Sequence, residues 1–144
     1  MSWNPPATIE ELEAPLRKNI EAWDSATAFS FTIELQATGA FLGRIVIRQQ
    51  EECGVWDLGY WTHPEHQGQG YMSEAGAAIV EFGFRNLGAK RLEARYAEWN
   101  WKSGRVLNRI GMEFVRRIPD GFQKNGQVAD DILMAIQRSE WQTS

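Results

Sequence analysis

Apolar and polar positions change their period several times along this chain, and the changes mark its elements. Ile9, Leu12, Leu16, Ile20 and Trp23 recur at spacings of three and four, one face of a helix. Thr8-Ile9-Glu10-Glu11 opens it as a capping box, and Pro15 kinks or divides it. From Phe29 the period drops to two. Phe29 to Gln36 and Phe41 to Arg48 read as strands on either side of a turn at Thr38-Gly39. A hairpin loop over 51–54 leads into a third, aromatic strand, Val55 to Trp61. Ala75, Ala78, Ile79 and Phe82 restore the helical period to about Leu87, where Gly88 supplies a stop. Arg91 to Tyr96 is a short strand. A second helix follows Asn100, turns Val106, Leu107 and Ile110 inward and ends at Gly111. Met112 to Ile118 and Ile132 to Ile136 read as a closing antiparallel pair. Between them a loop from Pro119 to Gln127 carries the turn signal Asn125-Gly126. The strand–helix–strand unit from Val55 to Tyr96 predicts a parallel, right-handed crossover inside an otherwise antiparallel sheet, hence an α/β three-layer domain. No repeat or linker interrupts the pattern, so residues 1–144 read as one domain.

The richest stretch lies between the third strand and its helix: Trp61-Thr62-His63-Pro64-Glu65-His66-Gln67-Gly68-Gln69-Gly70-Tyr71-Met72. Gly68 and Gly70 permit backbone conformations closed to other residues and leave room for a ligand beside the main chain. A helix opening near Tyr71 presents unsatisfied N–H groups and the positive end of its dipole. Together these make either a seat for a phosphate-bearing ligand or simply a tight strand-to-helix turn. Ser73 stands where a dinucleotide fingerprint needs its third glycine, and no Gly-Lys-Ser/Thr run exists for a P-loop.

Composition narrows the function classes. A net charge of −4 argues against general nucleic-acid binding and mildly favours cationic partners. No apolar run reaches the roughly 18 residues of a membrane helix, and the first residues show no secretory pattern. The single Cys53, set in a hairpin loop, fits a reducing, cytoplasmic location and reads as unreactive. His63 and His66 have no carboxylate or cysteine partner at a ligand spacing, so no metal is expected. Among the seven tryptophans, Trp99 and Trp101 sit where a cleft could form.

The pattern Gln67-x-x-Gly70-x-Met72 before a helix resembles the acetyl-CoA pyrophosphate loop of the GNAT acetyltransferases, with Met72 in place of a small residue. Asn100-x-x-Ser103, Val106-Leu107 and Gly111-Met112-Glu113-Phe114 are similar to a second signature, that of the Rim-type branch, the ribosomal-protein-alanine N-acetyltransferases. Gly59-Tyr60-Trp61, Glu74-Ala75 and the stretch from Gly126 through Asp130 to Trp141 match as well. The resemblance covers roughly residues 5–141 and implies a GNAT-type three-layer α/β/α domain with a mixed, mostly antiparallel, splayed central sheet. It also implies acetyl transfer from acetyl-CoA to a primary amine, a protein N-terminus or a small molecule, in a ternary complex. A polyamine or aminoglycoside acetyltransferase and a non-catalytic acetyl-CoA-binding protein stand as alternatives. Family members usually carry an additional strand and helix before the segment matched by Pro5-Pro6-Ala7-Thr8. On that comparison the strand from Phe29 becomes an edge that either pairs with a second copy, giving a homodimer, or is covered by the first helix folding back over it in a monomer.

On this resemblance, Gln67, Gly68, Gln69, Gly70, Tyr71 and Met72 hold the pyrophosphate. The backbone of Trp61, Thr62 and His63 pairs with the pantetheine arm, as an added strand would. Asn100 either caps its helix or bonds that arm. Ser103 either is an exposed first-turn serine or stands by the departing sulfur. Asp57 and Glu98 are the candidate bases, each alternatively a solvated or ion-paired carboxylate. No Ser-His-Asp or Cys-His arrangement is readable, which argues against a covalent acyl-enzyme.

Overall fold

The computed structural model describes residues 20–21 and 23–141. The capping box at Thr8 and most of the first helix lie outside these residues. What is described of that helix ends at Asp24, and the Trp23 ring packs edge-on against Phe29 and Phe31, at 4.9 and 5.3 Å between centroids.

Six strands form one sheet: β1 (Ala28–Glu34), β2 (Phe41–Gln49), β3 (Val55–Thr62), β4 (Arg91–Ala97), β5 (Glu113–Lys124) and β6 (Gln127–Gln137). They hydrogen-bond in the order β1-β2-β3-β4-β6-β5, so β1 and β5 are the edges. Among the described residues only β3 and β4 run parallel, joined by α1 (Tyr71–Arg85), the crossover expected from the sequence. The second helix, α2 (Trp101–Arg109), follows β4.

Alternation along the strands decides what is buried. Ile45 and Ile47 of β2, Trp56 and Leu58 of β3, Leu92 and Ala94 of β4, and Ile132, Met134 and Ile136 of β6 share one cluster. Met72, Ile79, Val80 and Phe84 of α1 and Leu107 of α2 complete it. Both described helices therefore pack on this face. Phe84, Leu92 and Leu107 are fully buried, each contributing about 1.5–3 kcal/mol relative to exposure. Gly83 lets α1 lie close, because a Cβ there would meet Leu92 at 3.0 Å and Ile47 at 3.1 Å.

Two boundaries differ from the sequence reading. The helix expected to reach Leu87 ends at Arg85, and Gly88, in the left-handed region at φ 68°, turns the chain toward β4. The expected loop from Pro119 to Gln127 is mostly strand. Pairing resumes at Phe122↔Ala129 after a bulge between Ile118 and Phe122, and continues to Lys124↔Gln127. The only turn is Asn125-Gly126, both at positive φ as a two-residue type I′ hairpin requires. Pro119 is tolerated because it lies at the bulge of an edge strand, where no ladder donor is lost.

The feature that matters for function is in the parallel pair. β3 and β4 share four rungs, Val55↔Arg91 to Leu58↔Ala94, and then part. β3 stays with β2 as far as Thr62↔Gly43, and β4 stays with β6 as far as Ala97↔Asp131. Gly59–Thr62 and Arg95–Ala97 thus diverge across an opening in the middle of the sheet. The splay that the resemblance implies is present. Among the described residues no helix is long and apolar enough to cross a membrane.

Candidate functional site

A cleft of about 330 Å³ opens where the strands part. Tyr60, Trp61 and Thr62 form its β3 wall, Gln67 and Gly68 its loop side, and Asn100 to Arg109 of the α2 segment the opposite wall.

The loop side is built by local capping. Pro64–His66 is a single 3-10 turn whose first N–H groups need acceptors, and the Nδ1 of His63 accepts from the Glu65 N–H at 3.2 Å. The Gln67 side chain donates to the Thr62 carbonyl and that of Gln69 to the Glu65 carbonyl, at 3.3 and 3.4 Å. Gly68 and Gly70 sit at φ 78° and 82°, and a Cβ at either would meet nothing within 4 Å. Their left-handed backbone and the open space beside it are what close approach of a ligand requires. Gly70 is the N-cap of α1, so the helix start faces the loop with no side-chain cap. Met72 does not obstruct it, because its side chain is buried in the core.

The helix wall places the second motif. Asn100 lines the cleft and makes no side-chain cap to α2, which removes the purely capping role. Its carbonyl accepts the Ser103 N–H at 3.0 Å and turns the chain into the helix. Ser103 is buried, 5% exposed, rather than a solvated first-turn serine. The Tyr60 hydroxyl reaches it across the cleft, 2.5 Å from the Ser103 Oγ and 3.0 Å from the Ser103 carbonyl oxygen. Burial pushes the Tyr60 phenol up to about 12; the Ser103 hydrogen bond opposes this and Tyr96 adds to it. Tyr60 and Ser103 are 43 residues apart in sequence, so their meeting is visible only in the fold.

Lys102, Arg105 and Arg109 also line the cleft, spaced three and four along one face of α2. None of them forms an ion pair among the described residues. Lys102 and Arg105 lie 5.8 and 5.7 Å from the Trp101 ring centroid, within cation–π reach. This spacing was readable in the sequence and is a further element of the site.

Other expected residues stand elsewhere. The His63 N–H is bonded to the Leu42 carbonyl at 2.7 Å, and its carbonyl accepts from His66. Its N–H is therefore engaged within the protein, while its carbonyl keeps a second lone pair. Asp57 lies in the closed part of β3 and alternates to the face opposite Trp56, Leu58 and Tyr60. Burial raises the Asp57 carboxyl above its ordinary value, against the 3.0 Å hydrogen bond from Arg48. Glu98 is ion-paired at 2.6 Å with Arg117, which also reaches Asp130 at 3.2 Å. Trp99 is exposed and rests edge-on against Phe122, while Trp101 lines the cleft. The 3-10 turn also brings Glu65 beside both histidines, with ligand atoms within 4.8 Å, so a carboxylate partner does exist there.

The donor set fits an extended, phosphate-bearing ligand. The β3 backbone runs on past its last rung with β4, helix N–H groups face an open glycine loop, and three cations line one wall. Comparison with known proteins gives the family. The model of the acetyltransferase (GNAT) domain matches residues 1–113. The uncharacterized N-acetyltransferase YnaD of Bacillus subtilis (strain 168) is 30% identical over 98% of this chain and 82% of its own length. The [Ribosomal protein uS5]-alanine N-acetyltransferase of Escherichia coli (strain K12) is 33% identical over 58% of this chain, but that match spans only 43% of the relative. Among solved structures, an acetyltransferase (GNAT family) from Bacillus anthracis superposes with a TM-score of 0.80 at 25% identity. That superposition covers 92% of this chain and 76% of the other. With the split sheet, the glycine loop and the second motif all in place, this chain belongs to the GNAT acetyltransferase family.

Proposed function

We propose that the protein transfers an acetyl group from acetyl-CoA to a primary amine, by direct attack in a ternary complex. The observation that carries this reading is the split between β3 and β4, with buried Ser103 on one wall and the glycine loop at its end. Gln67–Met72 and the start of α1 would hold the pyrophosphate through main-chain N–H groups. Lys102, Arg105 and Arg109 add positive charge for the remaining phosphate. The β3 backbone around Trp61, beyond the last rung shared with β4, and the Asn100 side chain would fix the pantetheine arm.

Bound acetyl-CoA supplies the thioester. The chain's residues orient it and manage protons. Ser103 donates a hydrogen bond or proton to the sulfur as the carbon–sulfur bond breaks and the carbon–nitrogen bond forms. The amine must lose its proton to attack. An N-terminal α-amine, with a pKa near about 8, needs little help, whereas a lysine near about 10.4 needs more. Asp57 is the better placed base of the two carboxylates. It faces the side of the sheet away from the helices, where an acceptor can approach without displacing the cofactor, and burial has raised its pKa toward the working range. Glu98 is held by Arg117.

The acceptor belongs to one of two classes, a protein N-terminus or a small amine such as a polyamine or aminoglycoside. Thiol release from acetyl-CoA, measured with an alanine-initiated peptide, spermidine and an aminoglycoside, decides between them. The expected result is release that depends on one class of amine. CoA binding with no release for any amine would leave a non-catalytic binding protein.

A further inference from the structure

The Tyr60–Ser103 pair has a proton inventory that limits what Ser103 can do. Two oxygens 2.5 Å apart share one hydrogen, and either residue can provide it. Tyr60 has a single O–H and two acceptors within reach, the Ser103 Oγ and the Ser103 carbonyl oxygen at 3.0 Å. If the phenol donates to the carbonyl, the serine hydroxyl must donate to the phenol, and Ser103 has no hydrogen left for the cleft. If the phenol donates to the Oγ, the serine hydrogen is released to turn toward a ligand. The second arrangement polarises Ser103 as a donor, since each link of a hydrogen-bonded chain strengthens the next.

We propose that Tyr60 is the positioning residue for Ser103: its phenol donates to the serine Oγ and so aims the serine hydrogen at the departing sulfur. This rests on the reading that Ser103 serves the CoA thiolate. Tyr60 keeps its own proton throughout. In the reaction the amine nitrogen bonds the acetyl carbon and the carbon–sulfur bond breaks. The sulfur then gains a hydrogen bond or proton from Ser103, and the proton lost by the amine passes to solvent or a base. The fold supports the assignment twice. Tyr60 stands on the part of β3 beyond the last rung with β4, and its hydroxyl reaches Ser103 of α2 there. A phenol pushed up to about 12 also remains a donor across the physiological range.

The test combines Tyr60→Phe, Ser103→Ala and the double variant, reading kcat for acetyl transfer and, separately, the Kd of CoA by calorimetry. Tyr60→Phe should lower kcat on the order of 10-fold and leave the Kd of CoA within about twofold. Ser103→Ala should lower kcat on the order of 10–1000-fold. The double variant should be no slower than Ser103→Ala, because Tyr60 acts only through the serine. Additive losses, or wild-type kcat in Tyr60→Phe, would overturn the role of Tyr60 while leaving the acetyltransferase reading intact. Wild-type kcat in Ser103→Ala would overturn both residue assignments, and absence of CoA binding in the unmodified protein would overturn the reading beneath them. A size-conserving check is 3,5-difluorotyrosine at position 60, whose phenol is more acidic. It should bring a basic limb of kcat down into the measurable range, since a phenolate accepts the serine hydrogen instead of releasing it. An unchanged pH profile counts against the proposal.

Discussion

The two ends of the β3–β4 pair are built from the same strands and do opposite things. At the closed end, Val55 to Leu58 and Arg91 to Ala94 are joined by four parallel rungs, and Val55, Leu58, Leu92 and Ala94 are buried. At the open end, Gly59 to Thr62 are half-buried and lie beyond the last β3–β4 rung, with Tyr60, Trp61 and Thr62 lining the cleft. At the same end β3 lies close on β2: a Cβ at Gly43 would lie 2.1 Å from the Trp61 carbonyl oxygen, an approach that glycine allows. Stability is thus concentrated at one end of the seam and binding capacity at the other. An opening in a sheet is tolerable because each strand keeps one antiparallel neighbour along its whole length.

Substitutions at the two ends should separate accordingly. Leu92→Ala, at the fully buried closed end, should cost about 2–5 kcal/mol in chemical denaturation. It should leave the kcat of the folded fraction unchanged, and a selective loss of catalysis would blur the division. Gly70→Asp puts a negative charge beside the proposed phosphate seat, and like charges there cost several kcal/mol. CoA affinity should fall on the order of 100-fold, about 2.7 kcal/mol, whereas Gly70→Ala, which carries the same left-handed backbone strain of about 1–2 kcal/mol without the charge, should keep most of it. Calorimetry showing intact affinity in the folded variant would remove the loop from the site. Gly43→Ala should act on both properties at once. Its methyl group must push β3 back toward β4, for about 1–3 kcal/mol of stability and a narrower cleft. Thermal melts and CoA titrations on one sample would show whether the two losses travel together.

The smallest expected effect concerns Asp57. Its carboxyl is raised above 3.8 in the folded protein, so the folded state holds that proton more tightly than the unfolded chain does. Stability from this group therefore rises as pH falls through the raised value toward 3.8, and is lost above it. Asp57→Asn should flatten that part of the curve, measured as melting temperature between about pH 4 and pH 7. A curve parallel to that of the unmodified protein would mean the burial of Asp57 has no thermodynamic weight.

Local signals carried much of this molecule. The glycine loop, the α1 start and Asn100-x-x-Ser103 are contiguous runs whose chemistry lies in neighbouring residues, and they were legible. The element order and the parallel crossover were legible from period and spacing, whereas the pairing of β4 with β6 was not. What escaped reading depends on contacts far apart in sequence. Pro119, Asp120 and Gly121 have turn composition, yet pairing with β6 draws their surroundings into a long ribbon and confines the irregularity to a bulge. Tyr60 looks like any strand aromatic until the split lets it meet Ser103. The His63 N–H bonds the Leu42 carbonyl of β2, a contact that no local pattern shows.

The four-rung seam also bears on how the chain assembles. β1, β2 and β3 form a meander of near neighbours, and β5 and β6 form a hairpin, so these pairings close short loops. The seam must instead bring residues 55–58 to residues 91–94 across the whole of α1, a longer closure for few bonds. It is the natural place for sub-global opening, and amides flanking it should exchange with solvent sooner than those of the β2–β3 ladder. A ligand lying in the cleft would bridge the end of β3 and the α2 segment that follows β4. By mass action it would suppress that opening in proportion to its concentration over its Kd, so occupancy of the cleft should be readable as slowed exchange at the far, closed end of the same two strands.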